Sequence, residues 1–128
     1  MADLHDLTAL EQGALIASGE LTSFELTEHY LERTARLDDV GAFVTVTADR
    51  ARDQARDADA TRGADWAGTT PPLYGVPTAI KDLNLTAGVR TTFGSAAFDD
   101  FVPEVSDAVT EAIEWSRMPS LGKTSTPE

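Results

Sequence analysis

Cysteine is absent from this 128-residue chain, which removes disulfides, thiolate nucleophiles and cysteine metal ligands together. Histidine is nearly as scarce. His5 and His29 fall in separate amphipathic helical patterns without ligand-spaced partners, so no metal or other cofactor is expected. Positive charge is short as well: 10 basic residues face 22 acidic ones, for a net charge of −12. That balance argues against nucleic-acid and anionic-membrane partners, both of which call for basic patches. No apolar run approaches the roughly 20 residues needed to cross a bilayer. The start, Met1-Ala2-Asp3-Leu4-His5-Asp6, lacks the basic region and apolar core of a secretion signal. A soluble, cytoplasmic protein is the expectation.

What is present reads as one globular domain's worth of chain, with 41% hydrophobic and 7% aromatic residues. Thr8-Ala9-Leu10-Glu11 is a capping box, and it predicts a helix to about Ser18 with Gly19 as its stop. Thr22-Ser23-Phe24-Glu25 is a second capping box, with Leu21 and Leu26 placed as a hydrophobic staple. Leu26, Tyr30, Arg33 and Leu37 recur at helical spacing, which predicts a helix over 23–37. Residues 42–46, Ala-Phe-Val-Thr-Val, suit a strand. Ala48, Ala51, Ala55 and Ala58 then form a stripe of small residues for close packing.

The glycine, threonine and proline content of residues 63–72 marks a connecting loop. Beyond it, 78–81 reads as a strand, 83–103 mostly as loop and 107–116 as a helix. Ala108, Ala112 and Ile113 lie near one face of that helix, and Asp107 stands at its N-terminus. A further strand begins at 120–122. Strand, long crossover with a helix, strand is a βαβ unit and predicts parallel pairing.

Lysine occurs only twice, as Lys81 and Lys123, in a chain that otherwise uses arginine. Arginine keeps its proton at any workable pH, whereas a desolvated lysine can release one. Lys81 closes the run Leu73-Tyr74-Gly75-Val76-Pro77-Thr78-Ala79-Ile80-Lys81-Asp82, and that marks it for proton transfer. Asp82 either orients Lys81 or caps the next segment. Alternation along a strand favours separate roles over direct contact. Gly122-Lys123-Thr124 invites a phosphate-loop reading, but such a loop needs an earlier glycine where Arg117 stands, and should open a helix. Lys123 is read instead as a structural lysine or one that supports the site.

The ordered series Leu73–Asp82, Thr91-Thr92-Phe93-Gly94-Ser95, Pro103, Ser106-Asp107 and 121–128 closely resembles the amidase signature family of amide hydrolases. The likeness is close over 73–128 and looser over 4–62. The resemblance implies an α/β fold with a mixed sheet covered by helices and a helical N-terminal segment. It also implies a Ser–Ser–Lys triad in which Lys81 is the base, with no cofactor. A neutral amine must accept a proton through a bridging serine as the nucleophilic serine attacks the carboxamide carbonyl. A free lysine has a pKa of about 10.4, so burial and nearby donors must lower it for that task. Val76, Ala79 and Ile80 are placed to supply part of the burial.

Two departures accompany the resemblance. No Gly-Gly-Ser-Ser-like run occurs in residues 1–128, so both family serines are missing and the stretch alone is expected to be inactive. Ser116-Arg117 stands where the family carries Ala-Gly, and glycine there would end the helix in a left-handed conformation.

The expected organisation is an incomplete amidase domain over 1–128. Residues 1–62 form a mostly helical front, 63–72 a connecting loop and 73–128 the start of the catalytic α/β core. The expected function is hydrolysis of a carboxamide to acid plus ammonia or amine, on a small-molecule amide. Two alternatives stand beside it: a glutamine-dependent amidotransferase subunit of the same superfamily, and a non-catalytic remnant. Lys81-Asp82-Leu83-Asn84 is worded more like general amidases than like that subunit. Association into homo-oligomers is expected from the uncovered faces of a partial sheet.

Overall fold

The computed structural model describes residues 2–63 and 69–127. Both capping boxes form. Helix α1 (Ala9–Ser18) starts on Thr8, whose hydroxyl accepts from the Glu11 amide while Glu11 accepts from the Thr8 amide. It stops at Gly19, in the left-handed region at φ 82°. Helix α2 (Ser23–Arg36) begins on Thr22 with the same reciprocal bonds, and Leu37 caps its end. A second element reinforces that start: both Asp59 carboxylate oxygens accept the amides of Ser23 and Phe24, at 2.7 and 3.0 Å. The buried side of α2 is rotated from the expected face. Ser23, Leu26, Thr27 and Leu31 are buried, whereas Leu37 is exposed.

Strand β1 (Phe43–Val46) leads into α3 (Ala48–Thr61), which buries Ala51, Ala55 and Ala58 completely. The alanine stripe thus works as expected, and α3 packs against both α2 and the sheet. The expected connecting loop at 63–72 lies partly outside the described residues. Strand β2 (Thr78–Lys81) follows, then a loop with one short 3-10 turn, then α4 (Ala108–Trp115) and β3 (Ser120–Thr124).

The sheet is mixed, in the order β1-β3-β2. Strands β2 and β3 run parallel, with Ile80 opposite Lys123 and Lys81 opposite Thr124, while β1 runs antiparallel to β3. This is the βαβ unit expected from the sequence. One cluster joins Ile16, Leu21, Leu26 and Val76, and another joins Leu31, Ala51 and Leu121. Tyr74 is buried beneath the motif that opens β2, and its hydroxyl donates to the Ala58 carbonyl at 2.7 Å.

Helix α4 departs from expectation. Ala108 and Ala112 are exposed and Ile113 is only half-buried; Thr110 alone is buried. Apolar spacing points to a stripe, yet the helix docks through Thr110 and its Asp107 cap. The residue after it, Ser116, is followed by Arg117 in the left-handed region at φ 58°. That position is the one where the family carries glycine. The Arg117 carbonyl accepts the Gly75 amide at 3.0 Å, so this turn also fixes the entry to β2.

Candidate active site

Lys81 ends β2 and Asp82 begins the loop beyond it, so strand alternation sends their side chains to opposite sides. Lys81 is exposed and Asp82 is fully buried. Among the described residues the Lys81 amine has no hydrogen-bond or ion-pair partner. Val76 and Ile80 are buried, yet Lys81 itself is exposed, so the burial expected from them does not enclose that amine. The two side chains occupy separate environments, as strand alternation predicts.

Beneath Lys81 lies a buried ionic centre. Lys123 projects from β3 and is wholly inaccessible. Its Nζ donates to the Asn84 carbonyl at 2.8 Å and to Thr91 Oγ1 at 2.7 Å, and stands 3.3 Å from Asp82 Oδ1. The Thr91 hydroxyl gives its own proton to the Val89 carbonyl at 3.2 Å, so it accepts from Lys123. Two hydrogen bonds and a buried carboxylate contact surround this nitrogen, and the carboxylate favours the charged, ammonium form. Burial lowers the Lys123 pKa from its ordinary value, while the Asp82 and Asp107 charges oppose that shift. Asp82 Oδ1 is met by the ammonium alone, and Oδ2 accepts from the Thr92 amide at 3.0 Å and from its hydroxyl.

The main chain binds the same residues. The Asp82 amide donates to Thr124, the Phe93 amide to Asp82 and the Asn84 amide to Lys81, at 3.0, 3.0 and 2.9 Å. Sequence reasoning misses the roles of Asn84, Thr91 and Thr92. Thr91-Thr92 belongs to a recognisable motif, but nothing local marks the Asn84 carbonyl as a lysine acceptor.

The phosphate-loop reading of Gly122-Lys123-Thr124 fails on geometry. The three residues lie within β3, no helix follows among the described residues, and Lys123 is sealed from any ligand. Gly122 serves the sheet instead. At φ 152°, a Cβ there would stand 2.1 Å from the Thr45 carbonyl oxygen of β1.

The histidines need a correction. His5 sits in a 3-10 turn at Leu4–Asp6 that folds onto α2, and its ring stacks on His29 with 5.1 Å between centroids. His5 Nδ1 is 2.9 Å from His29 Nε2, and Arg33 meets His5 Nε2 at 3.2 Å. The two residues are partners across 24 positions, a separation that helical periodicity does not register. Asp3 and Asp6 lie close to His5, but Asp6 accepts the Asp3 amide at 3.1 Å and closes the turn. A cleft of about 630 Å³ beside α3 and α4, lined by Arg50, Gln54, Asp57, Glu114 and Arg117, includes none of the residues around Lys81. No described helix is long and apolar enough to cross a membrane.

Known proteins resemble this chain in sequence and fold. A glutamyl-tRNA(Gln) amidotransferase subunit of Thioalkalivibrio sulfidiphilus is 44% identical over 98% of this chain and 25% of its own length. The Acinetobacter baumannii protein of the same name is 39% identical over 100% of this chain and 26% of its own. Native peptide amidase from Stenotrophomonas maltophilia superposes with a TM-score of 0.76 at 31% identity, over 93% of this chain and 24% of that one. This chain therefore spans about a quarter of the length of these relatives. The fold is the amidase-signature fold. The family model described as Amidase matches residues 25–128, strands β1 to β3 and the lysine pair included, and the chain belongs to that family.

Proposed function

We propose that these residues are the N-terminal part of an amidase-signature enzyme in which Lys81 is the base of a Ser–Ser–Lys triad. The enzyme releases ammonia from a carboxamide, and the reading favoured here is the glutamine-dependent amidotransferase subunit. The observation that carries it is the 39–44% identity, over essentially the whole chain, to proteins named as glutamyl-tRNA(Gln) amidotransferase subunits. On this reading 1–62 is a helical front, 63–72 a connection and 73–128 the start of the catalytic core. The protein works in the cytoplasm, without a cofactor, alongside partner subunits. A net charge of −12 directs tRNA contact in such an assembly to other surfaces.

A stand-alone amidase is the second reading. Leu83-Asn84 after Lys81-Asp82 favours it, as does the 31% identity to a peptide amidase. The experiment is a comparison of substrates on the full-length protein carrying this segment. Ammonia release from glutamine, rising when partner subunits are added, is the expected result. Turnover of aryl or peptide amides with none of glutamine overturns the first reading in favour of the second.

A further inference from the structure

We propose that Lys123 and Thr91 are positioning residues for Lys81. The buried ammonium of Lys123 fastens Asp82, the Asn84 carbonyl and the Thr91 hydroxyl into one knot that fixes the direction in which the Lys81 amine leaves the sheet. The inference rests on the reading of Lys81 as the base and adds the residues that aim it.

A general base works only within hydrogen-bond reach of its proton, and misplacement by about an ångström can cost on the order of 10²-fold in rate. Lysine is long and flexible, so the protein can govern it only through the backbone that carries it. That backbone is held on every side. The ladder pairs Lys81 with Thr124, the Asp82 amide donates to Thr124, and the Lys81 carbonyl accepts the Asn84 amide. Lys123 lies one position before Thr124 on the same strand. Its ammonium reaches under the end of β2 to both ends of the loop 82–93, through Asp82 and Asn84 at one end and Thr91 at the other. Asp82 closes the circuit through Thr92 and Phe93. A buried ion pair is a poor route to stability, since well-packed apolar side chains do as well or better. A fixed geometry is what two directional hydrogen bonds and an ion-pair contact from one ammonium add.

Thr91→Val in the full-length protein removes the hydroxyl at nearly constant volume and tests this directly. The expected result is a kcat about tenfold lower per folded molecule, with KM within about twofold, and recovery of most of the loss in Thr91→Ser. Circular dichroism supplies the folded fraction. An unchanged kcat overturns the inference, and so does a loss that merely follows the folded fraction. If Thr91→Val does not fold, Thr92→Val decides by the same criteria, since it takes a hydroxyl from Asp82 Oδ2 and otherwise only a 3.3 Å acceptor from the Gly94 amide. Lys81→Met is measured beside them. Turnover that survives in Lys81→Met refutes the base itself, whereas an inactive Lys81→Met with a fully active Thr91→Val refutes only the positioning.

Discussion

At the scale of single residues, two neighbouring lysines differ in exposure. Lys81 stands at a strand end in solvent, and Lys123 is sealed in an ionic centre below it. In the full-length protein, Lys81→Met should abolish turnover while leaving thermal stability equal or higher, because an exposed amine without a partner holds nothing in place. Lys81→Arg should fail too, since a guanidinium stays protonated. Near-normal amide hydrolysis by either variant removes the lysine from the mechanism. Arg117 is the residue whose oddity is visible in the sequence, and its φ of 58° gives that oddity a physical form. A left-handed conformation costs an ordinary residue roughly 1–2 kcal/mol, a cost that glycine does not carry. Arg117→Gly should therefore raise stability by about 0.5–1 kcal/mol in chemical denaturation. A lower midpoint shows that the arginine's contacts outweigh the strain.

At the scale of elements, what is legible in the sequence is local. Thr8, Glu11, Thr22 and Glu25 act within single turns, and both helix starts form as the capping boxes predict. The alanine stripe and the parallel β2–β3 pair follow from period and chain order in the same way. The His5–His29 stack, the Asp59 cap on α2 and the Lys123 knot join residues 24 to 41 positions apart, where no periodicity reaches. Helix α4 shows the same limit: its apolar spacing is real, but docking is set by Asp107. That carboxylate caps the helix through the Thr110 amide and also accepts from Asn84 Nδ2 and the Leu85 amide. Burial pulls its pKa up, but the bonds from Thr110, Asn84 and Leu85 prevail and hold it below the ordinary aspartate value. A carboxyl lowered by folding contributes stability above its unfolded value, and the contribution is lost as pH falls through the folded one. Asp107→Ala should cost about 1–2 kcal/mol at pH 7, the range for a lost cap. The gap to the parent should narrow progressively in denaturation curves as pH falls below the ordinary aspartate range. A gap that stays constant with pH shows that the charge is not what Asp107 contributes.

At the scale of the whole molecule, the family is legible because its motifs are short, ordered and tied to main-chain geometry. The amide acted upon is not, since Lys81 is exposed and no substrate-contacting residue is established around it. The same geometry decides how the 128-residue segment behaves when expressed by itself. The sheet has three strands, and its outer members β1 and β2 each have one side unpaired among the described residues. Arg90 partly guards β1 by donating to the Val44 carbonyl at 3.2 Å and to Thr45 Oγ1 at 3.3 Å, which leaves β2 the more open edge. Apolar side chains collect on and near α4, where Val105 and Val109 are 65% and 52% exposed and Trp115 is 69% exposed. An open edge and an apolar face both favour association over a free monomer. The isolated segment should therefore elute with light-scattering masses above 13.7 kDa, and Val109→Glu should shift the distribution downward. It should also show no amide hydrolysis, because a base without nucleophile or oxyanion donors has nothing to activate. A monomer with a sharp cooperative melt would show that these three strands and four helices close a core of their own.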